Sequence, residues 1–304
     1  MIIDCILESV GNTPLIKLPS LDQNLEANIY VKLEFLNPSG SIKDRLAKYI
    51  IEKAEKEGRL NKDSIIVEVS SGNTGIAFSM AAACRGYKLK ILIPEGMCRE
   101  SAKLIKAFGA EVIITPASEG FEGAIKLSKE MAGQDPHIFL PQQFENEDNI
   151  EDHYLTTGQE IIKQLSHIDA FVAGVGTGGT LMGVAKALKK INPKTKIIAV
   201  EPAESAVMSG KSPGPHKIFG IGEGFIPSLI RMDTIDDVIA VKSDDAVKMT
   251  KKLIQRLGLM VGISSGANVI GALETARKIG LDKNIVTLLP DRGERYFSTD
   301  LFED

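Results

Sequence analysis

Apolar positions in this chain fall into short β-branched runs separated by longer stretches in which they recur every three or four residues. Ile29–Glu34, Ile65–Val69, Lys90–Pro94, Glu111–Thr115, Ala170–Gly174, Lys196–Val200 and Ile285–Leu289 read as strands. Ile42–Glu57, Thr74–Gly86, Glu100–Phe108, Gly179–Ile191, Asp244–Leu257 and Ala267–Ile279 read as amphipathic helices. Several strands are apolar at nearly every position, which fits burial on both faces. Strands alternating with helices then predict an α/β protein of the doubly wound class, its parallel sheets wrapped by helices. The polar, acidic stretch Gln142–Asp152 reads either as a crossing between domains or as a surface loop.

At 304 residues the chain is long enough for two domains. A net charge of −4 offers no electrostatic footprint for nucleic acid or an anionic membrane. Cys5, Cys84 and Cys98 are odd in number and far apart, so no disulfide framework is expected, and a reducing, cytoplasmic setting is. His137, His153, His167 and His216 show no ligand spacing, so no metal is expected. Met1-Ile2-Ile3-Asp4 lacks the basic region of a signal peptide, and no apolar run approaches the ~20 residues a membrane span needs.

Four loops carry candidate chemistry. Asn37-Pro38-Ser39-Gly40-Ser41-Ile42-Lys43 is a turn running into a helix, so Lys43 falls in the first helical turn. The positive end of the helix dipole disfavours its ammonium there, and removal from water does so further, the conditions under which lysine becomes an imine-forming nucleophile. Ser70-Ser71-Gly72-Asn73-Thr74-Gly75 joins a strand to a helix and gathers more hydroxyl and amide groups than a cap requires, so it reads as a carboxylate or phosphate site. Gly174-Val175-Gly176-Thr177-Gly178-Gly179-Thr180 also lies between strand and helix and could cradle a phosphate. Gly174, Gly176 and Gly179, with Glu201 on the next strand, satisfy the dinucleotide fingerprint as well, which keeps an NAD-dependent oxidoreductase in play. Gly262-Ile263-Ser264-Ser265-Gly266 places a hydroxyl pair at another helix start.

Together these loops are the parts of a pyridoxal phosphate site for an amino acid. From Val10-Gly11-Asn12-Thr13-Pro14-Leu15 to Leu289-Pro290-Asp291-Arg292-Gly293-Glu294-Arg295-Tyr296 the chain resembles the cysteine synthase and cystathionine β-synthase family, fold type II pyridoxal phosphate enzymes related in fold to the tryptophan synthase β-subunit. The resemblance implies two doubly wound, mostly parallel α/β domains. Residues 1–40 and 146–304 would form a larger, phosphate-binding domain, and residues 41–145 a smaller, mobile one that closes over the substrate. It implies that Lys43 carries pyridoxal 5′-phosphate as an imine and later moves the α-proton. Asn73 would bond the cofactor's 3′ oxygen; Gly176, Thr177, Gly178, Gly179 and Thr180 would hold its phosphate. Ser264, or Ser265 in the alternative register, would meet the ring nitrogen. Ser70, Ser71, Asn73, Thr74 and Gln143 would hold the substrate.

The implied reaction is a β-replacement through an α-aminoacrylate, by default O-acetylserine and sulfide to cysteine and acetate. A homodimer is implied, and serine acetyltransferase as a further partner. Three places depart from the family's pattern: Val69-Ser70 replaces Pro-Thr, Glu147-Asp148 replaces Pro-Ala, and Glu223 stands where a small residue is usual in Gly220-Ile221-Gly222-Glu223-Gly224. Sulfide has no cation to pair with Glu223, whereas an incoming amino acid has its ammonium. Glu223 is therefore expected to widen the acceptor range toward an amino-acid thiol. Cysteine could then also be the donor, releasing hydrogen sulfide and forming lanthionine or cystathionine. Serine acetyltransferase inserts its C-terminal tail into this family's cleft, and Glu223 would repel that tail's carboxylate.

Overall fold

The computed structural model describes residues 2–19, 28–70, 72–96, 99–280 and 282–302; Ser71 and Cys98 lie outside the described residues. In chain order the strands are β1 (Leu15–Lys17), β2 (Asn28–Lys32), β3 (Ile65–Val69), β4 (Lys88–Pro94), β5 (Glu111–Thr115), β6 (Ile138–Phe139), β7 (Ala170–Gly174), β8 (Lys196–Pro202), β9 (Asp237–Val241) and β10 (Asn284–Leu288). They form two sheets, β1-β2-β10-β7-β8-β9 and β5-β4-β3-β6. Among the described residues these strands pair in parallel except β1 with β2. The helices are α1 (Lys43–Lys56), α2 (Asn73–Arg85), α3 (Arg99–Ala107), α4 (Gly120–Gln134), α5 (Asp148–Leu155), α6 (Thr157–Gln164), α7 (Gly179–Ile191), α8 (Ser243–Leu257) and α9 (Ile263–Ile279).

The continuous apolar strands are explained by helices on both faces. Along β7, Ala170 and Val172 join a core with Val269, Ala272 and Ala276 of α9, while Phe171 and Ala173 join another with Leu181, Val184 and Leu188 of α7. The smaller sheet repeats the arrangement. Ile66 and Ile91 pack with Leu46 and Ile50 of α1 and Ile76 of α2, whereas Val67 and Leu92 pack with Ala124 of α4. Burial of this kind is worth roughly 1.5–3 kcal/mol per large side chain.

Two expectations are corrected. The stretch 142–152 does run from one sheet to the other, but as ordered structure: α5 begins at Asp148, and Asn149, Asp152 and His153 are buried. Cys5 and Cys84 form a disulfide, against the expectation of none. Residues 79 apart in sequence meet because the short turn Ile6–Ser9 lies against α2, with Leu7 and Val10 in the same core as Ala77 and Ala81. Among the described residues no helix is long and apolar enough to cross a membrane, and no three His, Cys, Asp or Glu side chains are grouped to hold a metal.

Candidate active site

The carboxyl ends of β3, β7 and β10 open onto one cavity, where parallel sheets place their ligands. Lys43, Ser70, Asn73, Thr74, Gln143, Gly176, Thr177, Gly178, Thr180, Glu223 and Ser264 all line it. Gly179 does not line it but opens α7 directly behind the cup.

Lys43 is the first residue of α1, its N–H donating to Ser41 Oγ at 3.3 Å. Two residues on, Arg45 anchors the same turn. Its guanidinium donates to Glu34 Oε2 at 2.7 Å and Glu160 Oε1 at 2.7 Å, and Lys32 adds a 2.7 Å bond to Glu160 Oε2. Burial alone would raise the Glu160 carboxyl, but Arg45 and Lys32 hold it down at about 2. The network is buried and multiply hydrogen-bonded, so it fixes the helix start on which Lys43 stands. Burial lowers the Lys43 amine to about 8, with the charges of Glu223, Glu68 and Asp152 opposing the fall. A reactive, partly neutral amine at neutral pH results.

On the substrate side, Ser70 Oγ accepts from the N–H groups of Gly72 at 3.1 Å and Gly75 at 2.8 Å, which leaves its own proton for a ligand. Thr74 Oγ1 donates to Gln143 Oε1 at 2.6 Å, and Gln143 Nε2 donates to Val69 O at 2.9 Å, so Gln143 is locked against the strand end. On the opposite wall the cup after β7 has no Lys or Arg among its residues 174–180 and relies on backbone N–H groups and the amino end of α7. A Cβ on Gly176 would lie 2.3 Å from Gly220 O, so only glycine lets these loops meet. Thr180 Oγ1 is 3.0 Å from His153 Nε2, and Thr157 Oγ1 is 2.8 Å from Nδ1. Burial, helped by the charges of Arg45 and Lys43, drives His153 well below its ordinary value, so the ring is neutral.

Ser264 lines the cavity, whereas Ser265 is fully buried and outside the lining. Glu223 also faces the cavity; burial pushes its carboxyl up to about 7, against the pull of the Lys43 charge. Its loop is tied to the cup by Gly222 N–H donating to Val175 O at 3.0 Å. Sequence reasoning missed Ser101, Phe121, Phe219, Arg295 and Tyr296, all in the lining, and Asp291 behind them. Their position just beyond β10 was the available signal for the last three. The dinucleotide reading fails at Glu201, which is buried and outside the cavity lining. Its carboxylate is taken up by Met208 N–H at 2.8 Å, Ser209 N–H at 3.1 Å and the Ser209 hydroxyl at 2.5 Å, leaving nothing for a ribose.

A reactive lysine between an anion cup and a hydroxyl-rich helix start defines the class of site. Residues 6–291 match the family model described as "Pyridoxal-phosphate dependent enzyme", and the chain belongs to that family. It is 48% identical over 302 residues to a cysteine synthase of Staphylococcus aureus, covering 99% of this chain and 97% of that one. Solved structures give the same picture. The cysteine synthase of Entamoeba histolytica superposes with a TM-score of 0.95 at 42% identity, over 100% of this chain and 92% of that one. An O-acetylserine-dependent cystathionine β-synthase from Helicobacter pylori gives 0.95 at 40%, covering 99% of each chain. A hydrogen sulfide-producing enzyme of Fusobacterium nucleatum gives 0.92 at 43%, over 98% and 90%.

The cofactor is pyridoxal 5′-phosphate, and the residues present fit it. A bare backbone cradle with hydroxyl donors suits the phosphate, an amine near 8 suits the aldehyde, and a neutral serine hydroxyl stands at the start of α9. A hydroxyl partner leaves a pyridine nitrogen without its proton, a weaker electron sink than a carboxylate partner would make.

Proposed function

We propose that this enzyme carries out β-replacement on a β-substituted amino acid, with O-acetylserine as donor and sulfide as acceptor. The observation that carries the reading is that Lys43 lines one cavity with Gly176, Thr177, Gly178 and Thr180 of the cup and with Ser70, Asn73 and Thr74; burial lowers its amine to about 8. Bound in the cup, the cofactor supplies an electron sink that labilises the donor's Cα–H and Cβ substituent. The Ser70 hydroxyl and the first-turn N–H groups of α2, with Thr74 and Gln143, hold the donor carboxylate. Asn73 orients the cofactor's 3′ oxygen, Gly176–Thr180 bind its phosphate, and Ser264 meets its ring nitrogen. Lys43 Nζ takes the α-proton as acetate leaves and returns it when sulfide has added to Cβ. Closure of residues 41–145 over the donor excludes water from the intermediate state.

A second reading follows from Glu223. A carboxylate inside the cavity pairs with the ammonium of an amino-acid thiol and does nothing for sulfide. Cysteine would then serve as donor, releasing sulfide, with cysteine or homocysteine as acceptor. The exposed apolar side chains Ile6, Leu36 and Phe108 around one groove support a homodimer; serine acetyltransferase is a further partner that Glu223 would repel.

The test is to treat purified holoenzyme with borohydride, locate the modified peptide, and assay O-acetylserine plus sulfide beside cysteine alone. Modification of the Lys43 peptide and loss of turnover in Lys43→Ala support the reading; modification elsewhere, or an active Lys43→Ala enzyme, overturns it. If Glu223→Ala keeps the same ratio of sulfide to cysteine use as acceptor, the second reading is wrong.

A further inference from the structure

We propose that Asn149, which is not among the cavity-lining residues, is a positioning residue that couples the phosphate cup to the donor-carboxylate loop. The proposal deepens the functional reading above and rests on it. Asn149 is fully buried on α5, and its Nδ2 donates to Gln143 O at 2.9 Å and to Thr177 Oγ1 at 3.0 Å. A carboxamide has two N–H donors, and both are spent here, one on each subsite.

Each bond has a chemical consequence. Thr177 Oγ1 accepts from Asn149 and, at 3.4 Å, from Gly179 N–H, so its single proton is left to point at an anion in the cup. At the other end, the Gln143 carbonyl is held while its side chain grips Thr74 and Val69 O, so the backbone bond sets the register of the loop. The amide cannot turn over, because Oδ1 would then face the Gln143 carbonyl with no proton between them. Oδ1 is buried without a partner, and a Cβ on Gly179 would lie 2.0 Å from it. Only the two donors offset the cost of burying that oxygen. Filling the cup thus orders the carboxylate loop, and by linkage a bound carboxylate must tighten the cup to the same degree.

The test uses holoenzyme, Asn149→Leu and Thr177→Val, after circular dichroism has confirmed folding. Loss of pyridoxal phosphate on dialysis is followed with and without propionate, a carboxylate with no amine to displace Lys43 from the cofactor, and KM and kcat are measured for O-acetylserine. In the wild type, propionate slows cofactor loss. Losing one hydrogen bond at each end should, in Asn149→Leu, speed cofactor loss about tenfold and raise KM about tenfold, with kcat within about twofold. Propionate should no longer protect. A wild type without propionate protection, or an Asn149→Leu enzyme altered at one subsite only or still protected by propionate, overturns the proposal. If Asn149→Leu does not fold, Thr177→Val severs the link from the cup side: lost protection supports the coupling and retained protection overturns it. Wild-type protein that holds no pyridoxal phosphate overturns the functional reading itself, and this shows before any variant is made.

Discussion

Arg295 and Asn73 clasp each other across the cavity: the guanidinium Nη1 donates to Asn73 Oδ1, and Asn73 Nδ2 donates to Asp291 Oδ2 at 2.6 Å. The carboxamide is thereby oriented before any ligand arrives, with its oxygen committed to the cation and one N–H to the anion. Arg295 also donates to Ser39 O in the turn that leads to Lys43, and Tyr296 gives its hydroxyl proton to Asp291 at 2.5 Å.

Arg295 and Asp291 are both buried, and burial pushes the Asp291 carboxyl up while the Arg295 charge pulls it down. Arg295→Met leaves that carboxylate without its counter-charge and should cost about 3 kcal/mol of stability. Adding Asp291→Asn removes the orphaned charge, so the double variant should be more stable than Arg295→Met alone. Urea midpoints of the wild type, Arg295→Met, Asp291→Asn and the double variant check this; a double variant weaker by the sum of the two single losses would show that the two charges do not act together.

Lys43 sets a pH dependence for cofactor uptake. Only the neutral amine adds to an aldehyde, and burial has lowered the group to about 8. Capture of pyridoxal phosphate by apo-protein should therefore rise about tenfold per pH unit below 8 and flatten above it, where an ordinary lysine keeps rising toward ~10.4. The Glu223 charge raises the Lys43 value, so Glu223→Gln should move the flattening to lower pH. Stopped-flow absorbance measures both, and an unchanged midpoint in Glu223→Gln would mean that the two groups do not sense each other.

The strands β3, β5 and β7 and helix α7 were legible residue for residue, because a run such as Ala170–Gly174 is apolar on both faces and ends in glycines. α4 was not, since Gly120, Gly123 and Gly133 dilute its helical signal. α5 was missed for a different reason. Its Asn149, Asp152 and His153 are polar yet buried, and polarity in sequence reads as surface. The site was legible where a loop concentrates unusual residues, as at Ser70–Thr74 and Gly174–Thr180. Arg295 and Asp291 stayed silent because their meaning lies in Asn73, more than two hundred residues away, and no local pattern encodes such a contact.

Glu68 is a carboxyl buried beside this site, at the end of β3, with Oε2 unpaired and Oε1 accepting Val69 N–H at 2.8 Å. Burial raises it to about 8, against backbone N–H groups and the Lys43 charge that pull it down. It is therefore protonated in the folded protein at neutral pH and ionised in the unfolded chain. Folding takes up a proton between the unfolded value, ~4.3, and about 8, so this group's contribution to stability falls as pH rises through that window. Glu68→Gln carries no proton and should gain on the wild type between pH 5 and 8. Thermal midpoints across the range decide it; a difference that stays flat with pH would place the Glu68 proton elsewhere.

The cup and the loop bearing Glu223 are joined where Gly176 passes Gly220. A methyl group at 176 would sit 2.3 Å from the Gly220 carbonyl oxygen, a backbone atom that can move only by dragging Ile221 to Glu223 with it. Gly176→Ala should therefore lose about 1–3 kcal/mol through overpacking, and should also weaken cofactor retention and alter acceptor preference. Gly133→Ala is the control: it lies in α4 with nothing within 4 Å of the added methyl, and should gain about 0.5–1 kcal/mol from helix propensity. Thermal midpoints and dialysis of both holoenzymes separate the two effects. Equal retention in Gly176→Ala and wild type would show that the cup tolerates displacement of Gly220, and that the two loops do not act as one wall.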